Sequence, residues 1–346
     1  MAFLRVEAEA GPPRLSPALR AALDGVPEGA PVAVLIHGFK FRPGDPGRDP
    51  GARLYGDGRG PGWAAGLGFS AEGREDGLCL GFAWDAAARH LPSYARAGCN
   101  GFAVAYARAG AAGARLGELI AAMAAARPGL RVDLFAHSLG ARVALGALAA
   151  PGARRALLLG AAEDSEEAAA RMAACPPGRE AVHVAARHND LFDLMFEAAA
   201  PRREGGRRAR ALGREGLPGR ADWIDLQLDA PALGAWLAGR GLPLGPAPAV
   251  CHWSFYARPG AMALHREMLR EPEAWSVAAL RAAGVPEGLA APRWRAAGWT
   301  GRLGGGWRRA ATRPGAGAQP GALAAGRGAR GGQGRDRETM RPRAAE

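Results

Sequence analysis

Ser138 stands in a sequence context that could make its hydroxyl a nucleophile. It lies in the stretch Ala136-His137-Ser138-Leu139-Gly140, after an apolar run and before an alanine-rich segment. In the pattern G-x-S-x-G, a tight turn from a strand into a helix lifts the serine above the sheet, and small neighbours let the two backbones approach. Ala136 replaces the first glycine and adds one methyl group at the closest contact. Ser138 is therefore a candidate nucleophile for attack on an acyl group.

A serine hydroxyl needs a base that removes its proton, and that base is usually a histidine. His252 is the candidate, because it follows a proline-rich loop that could carry an imidazole to the edge of the sheet. The other histidines have simpler explanations. His90 precedes the nucleophile in the chain, and His188 lies beside the candidate acid. The remaining four are interpreted as structural, and they are His37, His137, His183 and His265.

A carboxylate is expected to orient the histidine. Asp190 is the candidate because it follows the predicted strand 181–186, and catalytic groups collect at the carboxyl ends of parallel strands. Asp193, one helical turn later, and Asp164, after the preceding strand, remain alternatives. Asp190 could also cap a following helix, and that role does not exclude a catalytic one.

Two backbone N–H groups are candidates for holding the oxyanion that forms when an acyl carbon is attacked. The N–H of Leu139 lies at the predicted start of a helix, and the N–H of Phe39 lies in the turn 37–39 after an apolar strand. Because the donors belong to the backbone, side-chain identity matters little at these two positions.

Strand and helix signals alternate along the sequence, which predicts a mostly parallel sheet covered by helices on both faces. The string around Ser138 would arise by chance with a probability of roughly a third in so glycine- and alanine-rich a chain. Its weight therefore comes from the predicted strand before it and the predicted helix after it. The predicted strands are 3–8, 32–37, 78–84, 131–136, 156–160, 181–186 and 223–228, and the predicted helices are 17–23, 97–126, 139–149, 166–173, 231–238 and 259–270.

Three segments interrupt this alternation. Residues 41–68 are rich in glycine, proline and arginine and predict an irregular border of a pocket. Residues 201–220 predict an exposed excursion, and residues 301–346 predict a disordered tail after a single domain over 1–300. The tail holds ten arginines and three acidic residues, so the rest of the chain carries only part of the net charge of +12. Since the tail has few aromatic residues that could stack on bases, a solvated tail is favoured over nucleic-acid binding.

Several classes of protein are not indicated by the sequence. No run of about 20 apolar residues lacks charge, so no membrane span is predicted. The first ten residues do not resemble a signal peptide, and we expect a cytoplasmic protein. The four cysteines lack C-x-x-C spacing, and no H-E-x-x-H pattern occurs, so neither a metal nor a disulfide framework is expected. Residues 66–71 fit a dinucleotide-binding pattern without the strand that should precede it, and no cofactor is expected.

The order Ser138, Asp190, His252 along the chain, preceded by the turn 37–39, resembles the α/β-hydrolase superfamily. The resemblance covers about residues 30–270. The His-Ser-Leu-Gly form is similar to that of bacterial esterases and lipase-like members. The resemblance implies the α/β-hydrolase fold, with a central, mostly parallel sheet and helices on both faces.

The resemblance also implies a serine hydrolase that cleaves a carboxylic ester or a related small acyl compound. Ser138 would be acylated, the N–H groups of Phe39 and Leu139 would hold the tetrahedral intermediate, and water activated by His252 would release the product. Two alternatives stay open. One is an acyltransferase or thioesterase with the same catalytic residues, and the other is a non-catalytic binding protein of this fold that acts through its arginine-rich tail.

Overall fold

The computed structural model describes residues 3–8, 15–56, 62–69, 77–88 and 100–294. Within these residues, seven strands form one sheet, and every strand pair is parallel. The predicted α/β architecture with a parallel central sheet is therefore confirmed. The strands are β1 (Phe3–Glu7), β2 (Val32–Ile36), β3 (Leu78–Ala83), β4 (Val132–His137), β5 (Ala153–Leu159), β6 (Glu180–Ala185) and β7 (Trp223–Gln227), and their order across the sheet is β1-β3-β2-β4-β5-β6-β7.

The helices pack on both faces of the sheet, as the alternation predicts. Val32 and Val34 of β2 belong to the core on one face, whereas Ala33 and Leu35 belong to the core on the other. Strands that are buried on both faces become continuous apolar runs, which is why β2 consists of Val-Ala-Val-Leu-Ile. The α-helices are α1 (Pro17–Asp24), α2 (Trp63–Gly66), α3 (Gly101–Ala126), α4 (Gly140–Ala147), α5 (Ser165–Ala173), α6 (Asp190–Ala199), α7 (Leu212–Glu215), α8 (Pro231–Ala238), α9 (Ser254–Ala257), α10 (Ala261–Arg270) and α11 (Val277–Ala282).

The order of the strands reverses between β2 and β4. From β2 the chain crosses to β3 on one side, and it then returns to add β4 on the opposite side of β2. The connections after β2 and β4 consequently leave in opposite directions and open a crevice outside the carboxyl ends of these two strands. Ligands of open α/β sheets bind in such crevices. The turn 37–39 and Ser138 both lie at this crevice, since they follow β2 and β4 directly.

Two segments that the sequence predicts as irregular or exposed are more ordered than expected. Within 41–68, Gly51–Tyr55 forms a π-helical turn and Trp63 begins α2, so the prediction of an irregular loop is wrong for these parts. Their aromatic side chains are buried against the sheet, and the hydroxyl of Tyr55 donates to the carbonyl of Phe82 at 2.7 Å.

The excursion 201–220 is also packed at its end. Ala209, Leu212 and Leu217 are buried in the main core, and Ala211 forms a bridge with Asp164. The first part of the predicted helix 97–126 and the predicted tail 301–346 lie outside the described residues. In the part of the chain that the structure describes, no helix is both long enough and apolar enough to cross a membrane.

Candidate functional site

Ser138 occupies a strained turn at the end of β4. Its φ angle is +57°, in the left-handed region that residues with a side chain rarely adopt. Three backbone hydrogen bonds hold the turn in place. The N–H of Ser138 donates to the carbonyl of Leu159 at 2.9 Å, and the carbonyl of Ser138 accepts from the N–H groups of Ala141 and Ala162, both at 3.0 Å. Strain that the surrounding structure maintains in this way is characteristic of functional residues.

Two glycines let the neighbouring backbones approach this turn. A Cβ atom at Gly140 would lie 2.6 Å from the carbonyl oxygen of Ile36, so α4 starts directly against β2. A Cβ atom at Gly38 would lie 2.7 Å from the Cβ of Ser138. Ala136, in contrast, is fully buried within β4 and belongs to the main core. The fold therefore accommodates the methyl group by which the chain departs from the G-x-S-x-G pattern.

Phe39 and Leu139 carry the two predicted oxyanion donors; Phe39 lines the cavity that Ser138 also lines, whereas Leu139 is fully buried. Within the described chain neither of them donates to any protein acceptor. Leu139 is the residue before the first turn of α4, where N–H groups point out of the helix. Because the turn of Phe39 touches the turn of Ser138 through Gly38, the two donors lie on adjoining turns at the crevice.

His37 holds the turn of Phe39 against the sheet. Its Nδ1–H donates to the carbonyl of Gly38 at 2.9 Å, and its Nε2 accepts from the N–H of Trp84 at 3.1 Å. Its ring stacks on the indole of Trp84 with the centroids 5.4 Å apart. Burial lowers the pKa of His37 to about 4, so the ring is neutral and keeps this pattern at physiological pH. The structural role predicted for His37 agrees with these contacts.

His252 is fixed through both its ring and its backbone. Its Nδ1 lies 2.7 Å from Oδ1 of Asn189, to which the Nδ1–H donates. The ring stacks on Phe192 with the centroids 4.6 Å apart. The backbone carbonyl of His252 accepts from Nε2–H of His137 at 2.8 Å. Since Nδ1 carries the proton, Nε2 is left as the acceptor that a general base requires.

Burial holds the pKa of His252 well below its usual range, and the neighbouring His137 and Lys40 lower it further. The imidazole is therefore neutral and able to accept a proton at physiological pH. Ser138 Oγ makes no hydrogen bond to any of the described residues, but Ser138 and His252 line the same cavity.

Asn189 is the residue that sequence reasoning missed. Its Nδ2 donates to Oδ1 of Asp193 at 3.0 Å, which turns Oδ1 of the amide towards His252. Asp193 is 2 % exposed, and burial raises its pKa to about 8. The three side chains form a line from the imidazole through an amide to a carboxyl group. The signal was present in the sequence, because an amide oxygen can accept the proton of Nδ1 as a carboxylate does.

Asp190, the predicted acid, has other partners. It is fully buried, its Oδ2 accepts from the N–H of Arg293 at 2.6 Å, and its Oδ1 lies 3.0 Å from the guanidinium of Arg187. A 3₁₀ turn ends at Asn189 and α6 begins at Asp190. Successive side chains on a helix point about 100° apart. The structure therefore brings Asn189 to His252 and directs Asp190 elsewhere.

The remaining candidates from the sequence are engaged away from the cavity or lie outside the described residues. Asp164 caps α5, where its carboxylate accepts from backbone N–H groups. His183 Nδ1 lies 2.7 Å from a carboxylate oxygen of Asp225, and His265 donates to a backbone carbonyl inside the core. His90 lies in a segment that the structure does not describe.

The cavity above Ser138 has a volume of about 400 Å³ and a mainly apolar wall. The aromatic residues near 39–63 and 253–256 divide between the core and the wall of this cavity. Tyr55, Trp63 and Phe255 are buried in the core. The large apolar side chains that line the cavity are Phe39, Phe41, Phe102, Phe192, Met195, Phe196, Trp253 and Tyr256.

No group of three or more His, Cys, Asp or Glu side chains among the described residues is arranged to hold a metal ion. A scan of the chain against protein-family models found no matching model, and a search of curated proteins found no match. The geometry of the site is thus the basis for inferring what it does.

Proposed function

We propose that the chain has the α/β-hydrolase fold and that it is a serine hydrolase of carboxylic esters or related acyl compounds. The observation that carries this proposal is the strained turn of Ser138 in the same cavity as His252, whose Nδ1–H is held by Asn189. The position at the reversal of strand order supports it, because ligands bind there in open α/β sheets.

Each group of the site has a part in the proposed reaction. Nε2 of His252 takes the proton of Ser138 as Oγ attacks the acyl carbon, and the N–H groups of Phe39 and Leu139 donate to the oxyanion. The imidazolium then gives its proton to the departing alkoxide, which leaves an acyl ester on Ser138. Water, deprotonated by the same Nε2, attacks this ester, and the proton returns to Oγ as the acid is released.

In this proposal Asn189 takes the orienting role that the sequence predicts for Asp190. Its amide oxygen holds the tautomer of His252 in which Nε2 is free to accept, as the asparagine of Cys-His-Asn enzymes does. An amide supplies no negative charge, so it stabilises the imidazolium less than a carboxylate does. The low pKa of His252 agrees with that arrangement.

The nucleophile is tested by labelling with a fluorophosphonate probe and by turnover of aryl esters. Ser138→Ala is expected to lose labelling and to lower kcat by at least about 1000-fold. Ser276→Ala is the matched control, since it removes a serine hydroxyl that caps α11 instead of lining the cavity. Equal labelling of wild type and Ser138→Ala would contradict the proposal.

Two further measurements separate the alternatives. Partition of the acyl group between water and an added alcohol or thiol distinguishes hydrolysis from acyl transfer. A chain without residues 301–346 is expected to retain its turnover. If deletion of this tail abolished function while Ser138→Ala retained it, the site would belong to a binding protein of this fold.

A further inference from the structure

The cavity above Ser138 has an unbalanced charge. Among the described residues that line it, two are cationic, Lys40 and Arg48, and none is a carboxylate. The guanidinium of Arg48 is neutralised by Asp45, whose Oδ2 lies 2.9 Å from its Nε. Lys40 is different, because no described carboxylate lies within ion-pair distance of its ammonium group. Among the described residues, the wall of the cavity is therefore mainly apolar, and Lys40 is its one cationic side chain without a paired carboxylate.

The backbone holds Lys40 at this place. Its φ angle is +79°, and apart from Ser138 it is the only non-glycine residue with a positive φ in the described parts of the chain. Its N–H donates to the carbonyl of Ala86 at 3.1 Å. It directly follows Phe39, whose N–H is the proposed oxyanion donor. The turn that contains the N–H of Phe39 therefore also fixes the backbone position from which the Lys40 side chain extends.

The residue type adds a second observation. The chain contains 45 lysines and arginines, and Lys40 is the only lysine among them. Arg42, two residues later, pairs with Asp85 at 3.5 Å. A lysine ammonium is a compact charge on a flexible stem, which can follow an anion of variable position, whereas a guanidinium is suited to fixed bidentate pairs.

We propose that the cavity binds esters that combine an apolar body with a negatively charged group, such as a carboxylate, and that Lys40 pairs with this charge. The inference deepens the proposed function by naming the substrate class. The aromatic wall takes the apolar body, and the absence of a described lining carboxylate removes a source of repulsion. An anion beside Lys40 also cancels part of the positive field that this lysine exerts on His252.

The first test compares two esters of equal chain length, p-nitrophenyl hexanoate and the p-nitrophenyl monoester of adipic acid. The readout is the ratio of kcat/KM for the anionic ester to that for the neutral one. Lys40→Met is expected to lower this ratio about fivefold, and Lys40→Arg to restore most of it. Added salt is expected to lower the ratio for wild type and to leave it nearly unchanged for Lys40→Met.

Arg131→Met is the matched control for loss of one positive charge. Arg131 is exposed and precedes β4, whereas Ser138 follows it, so about 20 Å of strand separates the two. In Arg131→Met, the ratio of kcat/KM for the anionic ester to that for the neutral ester is expected to equal the wild-type ratio. If Lys40→Met lowered kcat/KM by the same factor for both esters, the lysine would support the turn instead of binding the anion, and the inference would be overturned. An unchanged ratio would overturn it as well.

The second test does not need turnover. The dyes 1-anilinonaphthalene-8-sulfonate and N-phenyl-1-naphthylamine share one aromatic skeleton, and only the first carries a negative charge. Lys40→Met is expected to weaken binding of the sulfonate dye about fivefold relative to the neutral dye. If no ester is turned over, the proposed function fails, yet this comparison still decides whether the cavity selects anions. Equal changes for both dyes would refute that selection.

Discussion

Asn189 Oδ1 lies 2.7 Å from His252 Nδ1, and this contact joins the turn after β6 to the loop between α8 and α9. The imidazole of the candidate site is therefore oriented by a neutral amide. The carboxyl group of Asp193 does not hydrogen-bond to the imidazole; its Oδ1 accepts a hydrogen bond from Nδ2 of the Asn189 amide. The amide and the carboxyl group thus stand behind the imidazole, where a Ser-His-Asp triad has a carboxylate alone.

The first prediction concerns the charge beside His252. At present the pKa of His252 is well below 6.5, so kcat/KM should fall only in acid solution. Asn189→Asp would place a carboxylate on Nδ1–H, favour the imidazolium, and raise this pKa. We expect the acid limb of kcat/KM to move to higher pH and kcat to increase. Asn189→Leu should instead lower kcat by about 100-fold or more, because the tautomer is no longer held. If the acid limb of kcat/KM in Asn189→Asp stayed at the wild-type pH, the hydrogen bond between residue 189 and His252 would not set the pKa of the imidazole.

The second prediction concerns backbone strain at Ser138, the proposed nucleophile. Glycine adopts a positive φ with little loss of stability, whereas the same conformation destabilises a residue with a Cβ atom by about 1 kcal/mol. Ser138→Gly should therefore gain up to about 1 kcal/mol in the free energy of unfolding while it loses activity. Ser138→Ala loses activity as well but retains the Cβ and should show no comparable gain. Urea unfolding of the two variants measures the difference, and equal stability would show that the turn is not strained.

The third prediction uses two glycines that differ in their surroundings. At Gly140 a Cβ atom would lie 2.6 Å from the carbonyl oxygen of Ile36, so Gly140→Ala must separate α4 from β2. We expect a loss of about 1–3 kcal/mol and a lower kcat. At Gly117, inside α3, the nearest atom to such a Cβ would be 3.5 Å away. Gly117→Ala should gain about 0.5–1 kcal/mol through helix propensity. A similar effect of both substitutions on the melting temperature would contradict this reasoning.

The fourth prediction concerns stability in acid. Burial lowers the pKa values of His37, His137 and His265 from 6.5 to about 4. Each lowered pKa stabilises the fold fully above pH 6.5, and this stability is lost as the pH falls towards 4, because the unfolded chain binds the proton first. His265→Gln keeps a donor for the carbonyl of Phe255 and removes one titrating group.

Between pH 6.5 and 4.5, the slope of unfolding free energy against pH should therefore fall by about 1.4 kcal/mol per pH unit in His265→Gln. Urea unfolding at several pH values measures the slope, and His265→Gln is compared with wild type at each of them. An identical slope in the two proteins would mean that His265 titrates normally in the fold.

The architecture could be predicted from the sequence because apolar runs and alanine-rich segments alternate strongly. Ser16 illustrates the local rules, since its side chain accepts from the N–H of Leu19 and caps α1 as its position before Pro17 suggests. The serine turn was predictable for the same reason, because Ser138 stands between two strong signals. These features depend on residues that are close in the chain.

The orienting partner of His252 depends on distant residues and could not be predicted in the same way. Asn189 and Asp190 are neighbours, and a carboxylate is chemically the more obvious choice. The 3₁₀ turn that ends at Asn189 decides which of them faces His252, and the chain signals for such a turn are weak. The order around Tyr55 and Trp63 also depends on distant residues. Their burial against the sheet orders a loop whose composition indicates irregular structure.

The hydrogen bond from His137 to the carbonyl of His252 has a consequence for engineering. The loop that carries the imidazole is anchored by the residue directly before Ser138, so the two positions form a matched pair. A loop from another protein grafted in place of 251–253 will be positioned correctly only if its backbone carbonyl accepts from the ring of His137. Libraries that diversify this chain should therefore exchange the two segments together, as one cassette.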